Sequence, residues 1–117
     1  MPTGVLYLLM SRQDADLFLA SATFVTTSLD KEGFIHASGS EAQTLRVANR
    51  KFQHAGDLVA LEISRDRVQS PIKDEFGGEP ELFPHIYGPL NTGACTARRP
   101  VLRDASGAFD RFGPPLP

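Results

Sequence analysis

The sequence predicts a small α+β domain: a twisted, largely antiparallel sheet with two helices in the N-terminal half. Three observations carry this. Short β-branched, aromatic and aliphatic runs recur along the 117-residue chain. Helical apolar spacing occurs in two stretches, both ahead of Gly56. Glycine, proline and small polar residues punctuate the runs between them.

Val5-Leu6-Tyr7-Leu8-Leu9-Met10 is too short for a buried helix and predicts a buried strand. Ser11 with Asp14 three residues on makes a helix start, and Ala15, Phe18, Leu19 and Ala22 extend it over 12–21. Phe24 to Thr27 has strand character, and Leu29 to Gly33 reads as a polar turn. Phe34 to Ala37 predicts a strand with Phe34, His36 and Ser38 on one face.

Ser38 with Glu41 can cap a second helix, striped by Ala42, Leu45, Ala48 and Phe52. Arg46, Arg50 and Lys51 then face water, and Gly56 offers a left-handed C-terminal cap. Leu58 to Ile63 is the clearest strand, with Glu62 on a partly apolar face. Asp66 to Val68 suits a short helical turn, Ser70 to Glu75 an edge strand, and Gly77-Gly78-Glu79-Pro80 a turn. Phe83 to Tyr87 reads as a strand ended by Gly88-Pro89, followed by strand candidates at 92–97 and 101–103. Residues 1–104 thus form one domain, and the glycines and prolines of 105–117 suggest a loose surface tail.

Bulk properties narrow the function classes. Twelve basic against fourteen acidic residues give a formal charge of −2, which argues against a protein built to bind nucleic acid. Cys95 stands alone, so an internal disulfide and a cysteine-rich zinc site are excluded; it reads as a buried structural thiol. Met1-Pro2-Thr3-Gly4 has no basic leader, and no apolar run approaches the roughly 20 residues a membrane helix needs. A cytoplasmic location is the expectation.

Two of the three histidines lie in apolar, turn-bounded segments. His36 stands between a strand and a helix N-terminus, where free N–H groups suit an anion and Ser38 adds a hydroxyl. It reads either as a ligand contact or as a half-buried ring bonded to a neighbouring strand. His85 and Tyr87 share a strand face with Phe83 and could line a flat ring, or satisfy one another in a polar core layer. Glu75, Glu79 and Glu81 surround the Gly77-Gly78 turn, as a general base or as plain surface. His36, His54 and His85 have no metal-ligand spacing, so no metal is expected.

Gly33-Phe34-Ile35-His36-x-Ser38, the strand Asp57-Leu58-Val59-x-Leu61-Glu62-Ile63, and Gly77-Gly78 ahead of Leu82-Phe83-Pro84-His85-x-Tyr87-Gly88-Pro89-Leu90 form a recognisable pattern. From about Val5 to Leu102 the chain resembles the bacterial domain-of-unknown-function family 952. That family is grouped by fold with ADP-ribosyltransferases. The nearer analogy is to NAD-dependent RNA 2′-phosphotransferases, which carry a strand-borne His, a small hydroxyl residue and a helix. His36 and Ser38 look like that His and Ser. The resemblance implies an ADP-ribosyltransferase-like fold and a nucleotide-sized cleft for NAD or an ADP-ribose-like ligand. His36 and Glu75 would be its catalytic candidates, and Ser38, Phe83, His85 and Tyr87 its ligand contacts. The transferases' first-strand His-Gly-Thr or Arg has no counterpart in Leu6 to Ser11. A non-catalytic ligand-binding module, or a protein-interaction domain with structural histidines, therefore stands beside the enzyme reading.

Overall fold

The computed structural model describes residues 4–117. Met1, Pro2 and Thr3, in the stretch read as lacking a leader, lie outside the described residues. β1 (Val5–Ser11) alternates as a strand should. Leu6, Leu8 and Met10 are buried, while Tyr7 and Leu9 turn to the other face. The Ser11 hydroxyl accepts the Asp14 N–H at 3.1 Å and starts α1 (Arg12–Phe18). α1 ends before the expected residue 21, because the Ala20 N–H turns back to the Leu17 carbonyl at 3.0 Å.

After β2 (Thr23–Phe24), the expected polar turn is a helix, α2 (Thr27–Glu32). Thr26 caps it by accepting the Leu29 N–H at 3.2 Å, and Gly33 closes it at φ +86°. β3 (Ile35–His36) follows. The cap of α3 (Glu41–Lys51) is Ser40, not Ser38. Ser38 is held instead against β1, its N–H on the Tyr7 carbonyl at 2.9 Å and its carbonyl on the Tyr7 N–H at 2.8 Å. α3 buries Gln43, Thr44 and Ala48 while Ala42 is exposed, so the apolar stripe is narrower than expected. The helix ends at Phe52, and Gly56 has no positive φ.

β4 (Leu58–Ser64), β5 (Ile72–Glu75), β6 (Phe83–Ile86), β7 (Leu90–Asn91), β8 (Cys95–Arg103) and β9 (Phe109–Phe112) complete the chain. All strand pairs are antiparallel. They form a four-stranded sheet β1-β4-β8-β9, a three-stranded sheet β3-β6-β5 and the pair β2-β7. The fold is thus a small α+β domain with three helices among the described residues, one more than the apolar spacing predicts.

The four-stranded sheet divides the core. One face buries Leu6, Leu8, Val59, Leu61 and Ile63 against α1, Ile35, Ile86 and Leu90. The other carries Leu58, Ala60, Val101 and Phe109 under α3. Each fully buried aliphatic side chain contributes about 1.5–3 kcal/mol. Glu62, on the α3 face, lies 2.8 Å from Arg99 Nε across the strands. The N–H points off that line and Arg99 Nε makes no hydrogen bond, so the contact is an ion pair.

The loose tail expected over 105–117 is packed. Phe109 is buried in β9, and both its backbone groups bond the Asn49 side chain, at 2.8 and 2.9 Å. The Leu116 N–H meets the Arg98 carbonyl at 2.7 Å, and its side chain joins the first core face. Aromatic burial outweighs the glycine and proline content there.

Candidate functional site

Antiparallel pairing of β3 with β6 sets Ile35 opposite Ile86 and His36 opposite His85. The isoleucines go into the core, so alternation turns both histidines to the opposite face. Their ring centroids are 5.4 Å apart, edge to face at 82°. Phe34 stacks on His85 at 4.0 Å and 17°, and meets the His36 edge at 4.9 Å. Two rings from paired strands and one from the residue just before β3 thus form one layer.

Each histidine has a carboxylate on one nitrogen. His85 Nδ1 lies 2.9 Å from Glu75 Oε1, and His36 Nε2 lies 2.6 Å from Glu32 Oε2. A carboxylate oxygen only accepts, so Nδ1 of His85 and Nε2 of His36 carry the protons. In the neutral ring of His85 this leaves Nε2 as a lone-pair acceptor, and it has no protein partner among the described residues. His85 is buried at 3% exposure, whereas His36 is half open.

The Tyr87 hydroxyl donates to the same Glu75 oxygen. That bond first, and the His85 bond second, hold the Glu75 carboxyl below the usual carboxylate range. Glu75 in turn pushes the Tyr87 phenol up. β5–β6 register explains the grouping: Lys73 faces His85 and Glu75 faces Phe83, which puts Glu75 diagonal to His85.

A cavity of about 210 Å³ opens on this layer. His36, Ser38, Phe83 and His85 line it, together with Leu9, Val47 and Phe52. Tyr87 and Glu75 do not line it; they stand behind His85 and orient it. The α3 N-terminus expected as an anion site is occupied. Ser40 Oγ accepts the Gln43 N–H at 3.0 Å, and Gln43 Oε1 accepts the Gly39 N–H at 2.7 Å.

Several residues here went unassigned in the sequence. Tyr7 sits at the cavity on the first strand, and its hydroxyl has no hydrogen bond among the described residues. Burial first, then Glu62 and Glu41, push that phenol up. Gly77 approaches so closely that a Cβ would lie 2.9 Å from His85 Cε1. Arg50 and Lys51 are exposed, as expected, and also border the cavity with Glu79 between them. Only the alternation of Tyr7 against Leu6 and Leu8 could have signalled any of these.

No three His, Cys, Asp or Glu side chains converge for a metal among the described residues. Cys95 is half-buried, and burial pushes its thiol up. No helix is long and apolar enough to cross a membrane.

A small antiparallel α+β domain with a cross-strand histidine pair on one cavity is the class these features define. Residues 9–98 match the model of the family described as protein of unknown function (DUF952), and the chain belongs to that family. It is similar to protein CC0527 from Caulobacter crescentus. The crystal structure of CC0527 shares 27% identity over 91% of this chain and 93% of that one, with a TM-score of 0.77. A crystal structure of its double mutant gives 0.76 at the same identity and coverage. Its solution NMR structure gives 0.77 at 27% identity, over 92% and 93%. No curated protein matches the chain.

Proposed function

We propose that the chain binds a small nucleotide-like ligand, of the NAD or ADP-ribose type, in the cavity between His36 and His85. One observation carries this reading. A buried imidazole, fixed through Nδ1 by a carboxylate, has its other nitrogen unpartnered beside a cavity that a second imidazole also lines. A ring held this way can accept a proton from a ligand hydroxyl, as a general base does. Glu75 acts through His85 and is a positioning residue. The ADP-ribosyltransferase-like grouping, and ADP-ribosyl or phosphoryl-ribose transfer, belong to this proposal, as does a cytoplasmic location. The cavity is below the roughly 300 Å³ that drug-sized ligands fill, so it suits a phosphorylated ribose and leaves the rest of a dinucleotide outside.

A non-catalytic ligand-binding module is the second reading. It is favoured by the first strand, where Tyr7 stands at the cavity with no acid, base or arginine beside it on that strand. The test is to titrate the protein with NAD, ADP-ribose and AMP while following the imidazole resonances. Shifts of both His36 and His85 support binding, and no shift at millimolar ligand ends both readings. Turnover that His36→Ala abolishes in a folded protein separates the enzyme from the module.

A further inference from the structure

The loop from Phe76 to Leu82 lends Gly77 and Glu79 to the cavity lining and is tied to α3 at two points of unequal quality. At one, Glu81 takes Arg46 in a fork, 2.7 Å to Nη2 and 3.2 Å to Nε, and also accepts from Gln43 Nε2 at 3.0 Å. Arg46 first, then Gln43, hold the Glu81 carboxyl below its ordinary range. At the other, a single carboxylate is stretched between two cations. Glu79 Oε2 is 3.3 Å from Arg50 Nη2, and Glu79 Oε1 is 3.9 Å from Lys51 Nζ. Neither has the short geometry of a charge-assisted hydrogen bond. Gly77 and Gly78 precede Glu79 at φ +54° and +84°, backbone states that glycine occupies without strain.

We propose that Arg50 and Lys51 are the anion subsite of the cavity, that they take a phosphomonoester group, and that Glu79 is an internal occupant which the phosphate displaces. This rests on the reading above that the cavity binds a nucleotide-like ligand, and it moves the substrate class from NAD or ADP-ribose, whose phosphates are internal diesters, to nucleotides or sugars with a terminal phosphate. A phosphomonoester brings more charge than a carboxylate and three acceptor oxygens, enough for an arginine fork and an ammonium together. On displacement, Glu79 moves out on the Gly77-Gly78 backbone while Glu81 stays on Arg46. The sugar then points along the cavity to His36 and His85. No covalent step is involved.

The experiment titrates the full chain with inorganic phosphate, ribose 5-phosphate, AMP and adenosine, in the parent and in Glu79→Gln, Arg50→Gln and Lys51→Gln. Calorimetry gives affinities, and imidazole resonances report occupancy near the histidines. Glu79→Gln is expected to tighten all three phosphate ligands by about two- to fivefold, the range an exposed ion pair supports. Arg50→Gln and Lys51→Gln are expected to weaken the same three and leave adenosine unchanged. These side chains are 42% and 50% exposed, so the variants keep the fold. Unchanged or weaker phosphate binding in Glu79→Gln overturns the proposal. Adenosine moving the imidazoles as well as AMP does, with no effect of Arg50→Gln, overturns it and leaves the ligand-binding reading standing. No imidazole shift with any of the four overturns the proposal, while a shift with NAD or ADP-ribose in the same protein keeps the ligand-binding reading.

Discussion

The two larger sheets of this protein obey the same alternation and put it to opposite use. β1-β4-β8-β9 turns aliphatic side chains to both faces, and Val59, Ala60, Leu61 and Ile63 in β4 are at most 1% exposed. β3-β6-β5 turns isoleucines to the core from one face only. Its other face holds Phe34, His36, His85, Glu75 and Tyr87, joined by stacking and charge-assisted bonds. Stability resides in the first sheet, because buried apolar area is the largest favourable term in folding. The second keeps polar groups at a cavity wall, where an apolar layer would have packed better. The difference locates the proposed site.

Substitutions can break this comparison, and the largest effect belongs to the larger sheet. Leu61→Ala at its centre is expected to cost about 2–5 kcal/mol, read as a lower urea midpoint. Its effect on the imidazole resonances should come only through unfolding. A Leu61→Ala protein that keeps its midpoint would show that the first sheet is not the source of stability.

Gly77→Ala comes next and acts on the second sheet. It combines a left-handed φ with a Cβ 2.9 Å from His85 Cε1. The backbone term alone is worth about 1–2 kcal/mol. Gly78→Ala, at φ +84° with open space around it, is the control that carries strain without the clash. The His85 resonances should move in the first variant and stay in the second. Equal shifts would mean that Gly77 does not press on the ring.

How much of this was legible follows from which interactions are local. The shared face of Phe83, His85 and Tyr87 follows from period two alone, and so does that of Phe34 and His36. That His36 meets His85 is a register, and only the strand pairing sets it. Glu75 could be suspected as a catalytic acid, yet its place behind His85 needs the β5–β6 pairing as well. The two serines at the start of α3 were locally equivalent, Ser38 with Glu41 and Ser40 with Gln43 each offering a capping box. A long-range contact decided between them, since Tyr7 claims both backbone groups of Ser38. β9 was hidden because a register shift at Leu102/Arg103 breaks the alternation that would have flagged Phe109 and Phe112. α2 was missed although Thr26 and Gly33 bracket it, because six residues are too few to show a period.

The Thr26 cap makes the third prediction, on the element that supplies the His36 partner. Thr26→Ala removes the acceptor of the Leu29 N–H and should cost about 1 kcal/mol. Glu32 sits on the last turn of α2, so fraying should also loosen its pair with His36. Proton exchange at His36 should rise while that at His85 holds. If both rise together, the ring layer moves as one unit and the two carboxylate pairs are not independent.

Glu75→Gln should have the smallest effect on stability, since the carboxylate is over a third exposed and water screens its charge. Its signature is in the pH profile. Glu75 is held below its unfolded value, so its contribution is present above the ordinary carboxylate range and lost as pH falls through the lowered folded value. Asp104, lowered by Ser106, acts in the same direction and gives a background common to both proteins. Urea midpoints of the parent should therefore fall more steeply through the acid range than those of Glu75→Gln, and the curves should converge at the acid end. At the site the change is larger. An amide can present its NH₂ where Tyr87 and His85 need an acceptor, so the His85 ring loses its fixed tautomer. Nitrogen chemical shifts at His85 should then report a tautomer mixture while those at His36 remain as in the parent. Identical slopes, with the His85 tautomer unchanged, would remove Glu75 from the site and leave the second sheet with a stacked pair of rings and no positioning group.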